Sequence, residues 1–174
     1  KTYWRPGTDV VVRSNTVGVR LGEDTWGNDF DRATFSIGES QVSTVDIANH
    51  TMTVRRNGQV VRTIPVTTGK PGWDTRNGVK VIISKDREVV MDAASIDVDE
   101  GDPEYYRLDV EYAMRVTWSG EYLHAAPWSV SSQGDENVSH GCTGMSDEAA
   151  SWFYNNSKIG DVVQKVAIAR WSRV

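Results

Sequence analysis

The sequence predicts a mainly β protein, because apolar and polar residues alternate with period two in many segments and helical periodicity is scarce. Two Asn-Gly pairs beside apolar runs add the strongest short signal for β-hairpins. A length of 174 residues admits one ordinary domain with a smaller appendage, and seven Trp, six Tyr and three Phe supply ample material for a core. No apolar run approaches the ~18 residues of a membrane helix.

The charge balance and the cysteine content exclude several classes of protein. A net charge of -5 and a pI of about 5.2 argue against a nucleic-acid partner, which a basic face would attract. Cys142 is the single cysteine, so neither an intramolecular disulfide nor a Cys-rich zinc ribbon can form. Any histidine chemistry must come from His50, His124 or His140.

The clearest strand is predicted over Tyr106–Trp118, where apolar and polar side chains alternate. Successive side chains of a strand point to opposite faces, so one face is expected to be buried. That face consists of Tyr106, Leu108, Val110, Tyr112, Met114, Val116 and Trp118.

Turn residues place the shorter strands. Thr51–Arg56 and Val60–Val66 flank Asn57-Gly58 and are predicted to form a hairpin, whose two turn residues need positive φ. A further strand is predicted over Val79–Ser84 after the second Asn-Gly pair, and another over Val162–Ile168 after a Gly-Asp turn.

One helix is predicted to follow Ser146, which can cap its first turn. Asp147 and Glu148 then lie where the helix dipole favours negative charge, and Asn155-Asn156 is expected to end the helix. The stretch 91–104 is rich in Asp and Gly and is predicted to be an exposed loop, serving either as a functional lid or as a solvated connector.

Residues 1–40 differ from residues 41–174, and we expect a boundary between them. Thr8–Arg13, Val17–Leu21 and Ala33–Ile37 are predicted to be short strands, which rarely hide their apolar faces alone. The segment is therefore expected to be either an extra sheet on the main domain or part of a β-sandwich domain.

The stretch from His124 to Ser146 carries the candidate chemistry, since two of the three histidines lie near Cys142. A free thiol is only a few per cent thiolate at neutral pH, and an imidazole that takes its proton typically contributes ~10²–10⁴-fold. Gly141, directly before the cysteine, allows a tight bend in which successive amides can converge on an oxyanion. His50 lies in a predicted turn and is expected to be a solvated surface residue.

Two other interpretations of the same residues stay open at this point. A lone cysteine is more often a small buried hydrophobe than a nucleophile. His124, His140 and Cys142 could instead be three ligands of an open zinc site, although no acidic residue lies at a familiar ligand spacing.

The spacing around the cysteine resembles the signature of the L,D-transpeptidases, the YkuD-like catalytic domain. His124 is followed after fourteen residues by Ser139-His140-Gly141-Cys142. The resemblance covers about residues 41–168 and extends to three further segments, His124–Ser129, Trp152-Phe153-Tyr154 and Thr75-Arg76-Asn77-Gly78. One departure is Gly144, which stands where the family usually has Asn.

The resemblance implies a β-sandwich-like catalytic domain over residues 41–174, with one main helix after the catalytic Cys. In the actinobacterial branch that the motifs resemble, immunoglobulin-like domains precede this domain. Residues 1–40 are too few for a sandwich of about 100 residues, so they are expected to be the C-terminal part of such a domain, whose upstream segment is missing from this chain.

The resemblance also implies an activity, a cysteine acyltransferase that forms 3→3 cross-links between peptidoglycan stem peptides. Cys142 would attack a donor tetrapeptide and release D-Ala, and an amine of an acceptor stem would resolve the thioester. His124 would be the base, oriented by the main-chain carbonyl of Ala125. The amides of Gly141 and Cys142, with His140 nearby, would form the oxyanion hole.

The substrate-binding residues implied by the resemblance surround this centre, and no cofactor or metal is expected. They are Tyr106, which resembles a tyrosine that helps at the oxyanion hole, the pocket residues Met91 and Trp128, and Ser139, Thr143 and Gly144. Carbapenem β-lactams are expected to acylate the thiol. The family also implies a location in the cell envelope, at the outer face of the cytoplasmic membrane or in the periplasm.

Two other function classes remain as alternatives. A cell-wall thiol hydrolase, such as an L,D-carboxypeptidase or an amidase, needs the same Cys and His, with water in place of the amine. In papain-like hydrolases the Cys usually precedes the His, whereas here His124 comes first. A non-catalytic envelope-binding module would not need the thiol at all.

Overall fold

The computed structural model describes residues 3–167 and divides the chain into two compact units, 1–40 and 41–174. Strands dominate both units, as the sequence predicts, and α1 (Asp147–Asn156) is the α-helix of the described part. Among these residues no helix is both long and apolar enough to cross a membrane.

The first unit is a two-stranded antiparallel sheet of β1 (Asp9–Asn15) and β2 (Phe30–Ser36). The strand predicted over Val17–Leu21 is wrong, because this segment is a looped connection with one isolated bridge, between Arg20 and Trp26. Backbone hydrogen bonds bend it back on itself, and Gly18 takes a φ of 74°, which a strand does not contain.

Apolar side chains of this unit remain exposed on both faces of the sheet. Neighbouring residues Val11 and Val12, which point to opposite faces, are both exposed, and Trp4 stacks on Phe35 with ring centroids 6.1 Å apart. The buried apolar residues of the described chain all belong to the second unit. Two strands therefore provide this unit with no closed core.

The second unit begins with a five-stranded sheet in the order β5-β4-β3-β11-β6. The predicted hairpin is confirmed, since Asn57 and Gly58 both have positive φ, of 50° and 82°. β3 and β11 pair in parallel and the other neighbours are antiparallel. The strands are β3 (Gln41–Asp46), β4 (Thr51–Arg56), β5 (Gln59–Pro65), β6 (Gly78–Val81) and β11 (Val162–Val166). The last residue of the predicted strand Val162–Ile168 lies outside the described residues.

The second sheet of this unit has four strands in the order β10-β9-β8-β7. β9 and β10 pair in parallel, and β8 is antiparallel to both of its neighbours. The strands are β7 (Ser84–Asp92), β8 (Arg107–Arg115), β9 (Tyr122–Ala125) and β10 (Thr143–Met145). The loop predicted over 91–104 therefore starts two residues later than expected, and a short 3₁₀ turn, Ala93–Ile96, opens it.

The strand predicted over Tyr106–Trp118 is shorter, and its alternation breaks at Tyr112. This residue has a φ of 53°, a left-handed conformation, and the two residues after it, Ala113 and Met114, are both fully buried, although only Met114 belongs to the predicted face. The guanidinium of Arg87 lies over the Tyr112 ring, 3.9 Å from its centroid, on the neighbouring strand. Trp118, predicted to be buried, is 79% exposed in the turn after β8.

One apolar core lies between the two sheets and the helix. Both sheets contribute, with Val45, Met52 and Ile64 from one and Met114 and Leu123 from the other. The helix α1 begins as predicted, with the Ser146 hydroxyl accepting a hydrogen bond from the Ala149 amide at 3.2 Å, and it buries Ala149, Ala150 and Phe153 in that core. The predicted β-sandwich-like architecture with one helix is confirmed.

We expect Phe153→Ala to lower the free energy of unfolding by about 3–5 kcal/mol, because it removes a fully buried ring and leaves a cavity between helix and sheets. Chemical denaturation followed by Trp fluorescence measures the loss. Phe153→Leu keeps most of the buried volume and is expected to cost less; equal losses in the two variants would contradict this account.

Candidate active site

The parallel pairing of β9 and β10 brings the two ends of the predicted motif together. Gly144 lies opposite His124 and Thr143 opposite Leu123, so Cys142, just before β10, reaches the same region as the histidine. His124 and Cys142 both line a cavity of about 370 Å³. The structure thus brings together the base and the nucleophile that the sequence predicts.

The turn before the cysteine is held by a hydrogen-bond network. The Ser139 hydroxyl donates to the Cys142 carbonyl at 2.6 Å and accepts from the Gly141 amide at 3.1 Å. Buried Thr75 donates to the Gly141 carbonyl at 2.8 Å and accepts from the Gly69 amide. Gly141 has a φ of 111°, which side chains rarely allow, so a glycine is needed here.

This network bears on the oxyanion hole that the resemblance implies. The Gly141 amide is already engaged by Ser139, so an oxyanion would compete with that hydroxyl for it. Tyr106 offers a second donor, because burial, and next the charge of Cys142, raises its pKa to about 12 and keeps the phenol protonated.

The His124 ring has a defined tautomer. Its Nδ1–H donates to the Ala125 carbonyl at 2.7 Å, which leaves Nε2 with a lone pair for a proton. Trp128 stacks on the ring at 6.0 Å. Burial lowers the pKa of the imidazole, the bond to Ala125 opposes this, and the charge of Lys165 lowers it further.

The Cys142 thiol is also neutral at rest. Burial raises its pKa, which a hydrogen bond from the Tyr122 amide and the charge of Lys165 partly offset. Its sulfur makes a long contact of 3.8 Å to the Gly120 carbonyl. A neutral thiol beside a neutral imidazole is suited to general-base catalysis, in which the proton moves as the sulfur attacks.

His140 is fixed rather than free. Its Nε2 donates to the Glu104 carboxylate at 2.8 Å, and its ring packs against Trp73 and Tyr106 at centroid distances of 4.7 and 4.8 Å. Lys70 approaches the same Glu104 oxygen at 2.5 Å. Glu104 belongs to the loop predicted over 91–104, so this contact fastens the end of that loop to the site.

A second cavity, of about 270 Å³, also borders the cysteine. Tyr106, His140 and Cys142 line both cavities, so the thiol lies where the two meet. The larger cavity is mainly apolar, whereas Asp74, Arg76 and Glu121 are among the residues that line the smaller one.

Most of the substrate-binding residues implied by the resemblance line the larger cavity: Tyr106, Met91, Trp128, Ser139 and Gly144. Thr143 lines neither cavity, so the cavities lend its expected contact with substrate no support. It is fully buried opposite Leu123, on the core side of β10, and its hydroxyl has no hydrogen-bond partner among the described residues.

Two further expectations change. His50 does lie in a turn, with a φ of 52°, but it is only partly exposed and its Nδ1–H donates to Asn137 at 3.0 Å, so it is not a free surface residue. Within residues 3–167, no three His, Cys, Asp or Glu side chains cluster as a metal site would require, so the zinc alternative has no ligand set there.

The sequence did not lead us to expect a charged cluster of Glu121, Arg76, Lys80 and Lys165 near the cysteine. Glu121 is buried and bonds Lys165 at 3.3 Å, Arg76 at 2.9 Å and Lys80. One signal was available: Lys165 has the same parity as Val163 in a predicted strand, which places an ammonium on the face expected to be buried.

A deprotonatable thiol, a base held in one tautomer and a fixed turn define the class: a cysteine-dependent acyl-transfer site. Residues 40–168 match the YkuD family, described as the L,D-transpeptidase catalytic domain. The chain belongs to this family, as its motifs indicate.

Known relatives agree in sequence and in structure. L,D-transpeptidase 2 of Mycobacterium tuberculosis (strain CDC 1551 / Oshkosh) is 42% identical over 164 residues, which cover 94% of this chain and 40% of that protein. An L,D-transpeptidase from Mycobacterium smegmatis superposes with a TM-score of 0.82 at 36% identity, over 95% of this chain and 70% of that one. LD transpeptidase LdtMt1 in complex with imipenem gives 0.77 at 36% identity, over 91% and 82%. The chain spans 40% to 60% of the length of the first curated relatives it matches.

Neighbouring side chains leave no room for a side chain at Gly144. A Cβ there would lie 3.0 Å from both Ala126 Cβ and Thr67 Cγ2. We therefore expect Gly144→Asn to lower stability by about 1–3 kcal/mol and to reduce activity, because overpacking displaces β9 beside His124. Thermal unfolding and turnover check this. Gly144→Ala should do less harm, and a more active, fully stable Asn variant would refute it.

Proposed function

We propose that this chain is the catalytic part of an L,D-transpeptidase that cross-links peptidoglycan stem peptides. The observation that carries the proposal is the His124 imidazole, whose Nδ1–H is held by the Ala125 carbonyl, facing the same cavity as the Cys142 thiol. Family membership and the 94% coverage of this chain by a named L,D-transpeptidase support it.

Acylation follows from the tautomer. His124 Nε2 takes the thiol proton while Sγ of Cys142 attacks the donor carbonyl between the diamino acid and terminal D-Ala. As the tetrahedral adduct collapses, the C–N bond breaks, His124 returns the proton to the leaving nitrogen, and D-Ala departs. The product is a thioester on Cys142.

The second half repeats this chemistry with an amine. A side-chain amine of the acceptor stem attacks the thioester, His124 takes its proton, and the Cys142 thiolate leaves and is reprotonated. The product is a 3→3 amide bond. The Tyr106 phenol, which lines both cavities and stays protonated, is placed to donate to the oxyanion in both halves.

The position of the sulfur between two cavities supports a reaction with two substrates. A donor stem in one cavity and an acceptor amine in the other would approach the same thiol, because Cys142 lines both cavities. If water attacks the thioester in place of the amine, the enzyme is a hydrolase. The reaction products distinguish the two activities, because hydrolysis gives shortened monomers and transfer gives dimers.

Three wider proposals accompany this function. A relative is solved in complex with imipenem, so a carbapenem is expected to acylate Cys142. A peptidoglycan substrate places the enzyme in the cell envelope, outside the cytoplasmic membrane. Residues 1–40 are proposed to be the C-terminal part of an immunoglobulin-like domain, because their two strands leave apolar residues exposed on both faces.

We expect Cys142→Ala to abolish dimer formation from purified disaccharide-tetrapeptide fragments, because the thioester cannot form. Mass spectrometry of the products measures dimers and free D-Ala. The same variant should give no covalent adduct with imipenem, whereas the parent protein gains the mass of one molecule. The matched control is Ser131→Ala, an exposed residue that lines neither cavity. Dimers formed by the Cys142→Ala variant at the parent rate would overturn the proposal.

The pH profile tests the role of His124. The imidazole must be neutral to accept a proton, and burial holds its pKa below the usual 6.5. Activity is therefore expected to persist as the pH falls through 6.5 and to be lost only below it. Initial rates of cross-linking between pH 5 and 9 provide the measurement. An acid limb with a midpoint above 6.5 would contradict this assignment of the base.

A further inference from the structure

A cluster of charges centred on the buried Glu121 borders the smaller cavity of the proposed active site. Glu121 begins the segment that leads into β9, and its carboxylate receives three cationic side chains from other parts of the chain. They are Arg76 Nε at 2.9 Å, Lys165 Nζ at 3.3 Å and Lys80 Nζ. One negative charge therefore meets three positive ones, and the excess charge is positive.

Lys165 is the most constrained member of the cluster. It lies on β11, between β3 and the edge strand β6, opposite Val45 on one side and Gly78 on the other, and its side chain is fully buried. Lys80, on β6, is nearly buried and also donates to the Arg76 carbonyl at 2.8 Å. Arg76 is largely exposed, so water screens its charge.

Stability does not account for this arrangement. Taking an ammonium out of water is expensive, and one bond of 3.3 Å leaves Lys165 short of partners. Burial lowers its pKa to about 8, although Glu121 opposes that shift. An apolar side chain at this position would avoid the penalty, and Glu121 would still be paired with Lys80 and Arg76.

The cluster is electrostatically connected to the thiol. Glu121 and Cys142 line the same small cavity, and the Gly120 carbonyl, one residue before Glu121, is the oxygen that the sulfur contacts. Burial raises the pKa of the thiol, and the charges of Lys165 and Lys80 lower it, while Glu121 raises it. Lys165 also lowers the pKa of His124.

We propose that Lys165, together with Lys80, supplies a positive electrostatic potential that favours the thiolate form of Cys142. Glu121, which shares the smaller cavity with Cys142, holds both ammonium groups in place by its ion pairs with them. Neither lysine lines either cavity, so both act through the cysteine and are positioning residues. Burial is the main cause of the lowered pKa of His124, and the charge of Lys165 adds to it. The inference rests on the proposed function only for its consequence in turnover.

Other titratable groups also face the thiol. His124 on β9 and His140 in the preceding turn lie at the same cavity, and the Tyr106 phenol is protonated. His140 is paired with Glu104, whose charge is shared with Lys70. Lys165 and Lys80 are the cations that act on the thiol together with Glu121.

The test measures the thiol itself. Because Cys142 is the single cysteine, its alkylation by iodoacetamide across pH 6–10 reports the pKa of one group. For Lys165→Met, the midpoint is expected to rise by at most about one unit, because a nearby opposite charge typically shifts a pKa by 1–3 units and Lys165 loses its charge as the pH rises past about 8. The rate at pH 7 is expected to fall about threefold, because a more basic thiolate is more nucleophilic.

Lys85→Met is the matched control. Lys85 is another partly buried lysine whose pKa is lowered by burial, but its Nζ donates to the Tyr154 and Ser157 carbonyls at the end of α1. This variant should leave the midpoint where it is. Lys80→Met should also raise the midpoint. Lys80 lies nearer the surface than Lys165, so its replacement is expected to disturb folding less, and this variant provides the test if Lys165→Met does not fold.

An unchanged midpoint in Lys165→Met overturns the inference, and so does an equal rise in Lys165→Met and Lys85→Met, which would trace the effect to loss of any buried lysine. Unchanged alkylation in Lys80→Met overturns it where that variant decides. If the midpoint rises as expected but the parent protein forms no cross-links, the proposed function fails and this inference stands.

Discussion

The site depends on the parallel pairing of β9 and β10. This pairing sets Gly144 opposite His124 and leaves Cys142 one residue ahead of β10, so a short ladder joins two segments that are eighteen residues apart. Parallel strands need a crossover, and here the connection runs over the Pro127–Ser129 turn and the Ser139–Cys142 turn. The strands fix position, while the Ala125 carbonyl and the Ser139 hydroxyl fix orientation.

Burial then determines the protonation states. A thiol and an imidazole that lose water both favour their neutral forms, so the resting pair is uncharged rather than an ion pair. A neutral pair is less nucleophilic before substrate arrives, and it attacks only when a carbonyl is close enough for the proton to move. The Lys165 charge shifts this balance, because it favours the thiolate and disfavours the imidazolium. Burial of the two groups and the charge of Lys165 therefore both affect whether the proton resides on the Cys142 sulfur or on His124.

Much of the site could be predicted from sequence, because spacing and residue type carry it. The tautomer-fixing carbonyl of Ala125 follows from backbone position and needs no particular side chain. The failures have local causes. Alternation placed Trp118 in the core, but β8 ends at Arg115 and Trp118 lies in the turn that follows, while Thr143 faces the core because it has the same strand parity as Met145. Glu121 was missed because its partners come from β6 and β11, which only tertiary structure brings together.

Gly144 and the charge cluster affect the surroundings of the thiol in different ways. Gly144 has no side chain, yet the space beside it is filled. Side-chain carbons of Thr67 and Ala126 lie so near that a Cβ on Gly144 would be 3.0 Å from each, so the backbone of β10 packs tightly against its neighbours. The cluster instead adds charge where a core would favour apolar residues. Gly144 lines the larger cavity and Glu121 the smaller one, and Cys142 lines both. Gly144 therefore bears on the shape of the larger cavity, and the charge cluster bears on the electrostatic potential at the thiol.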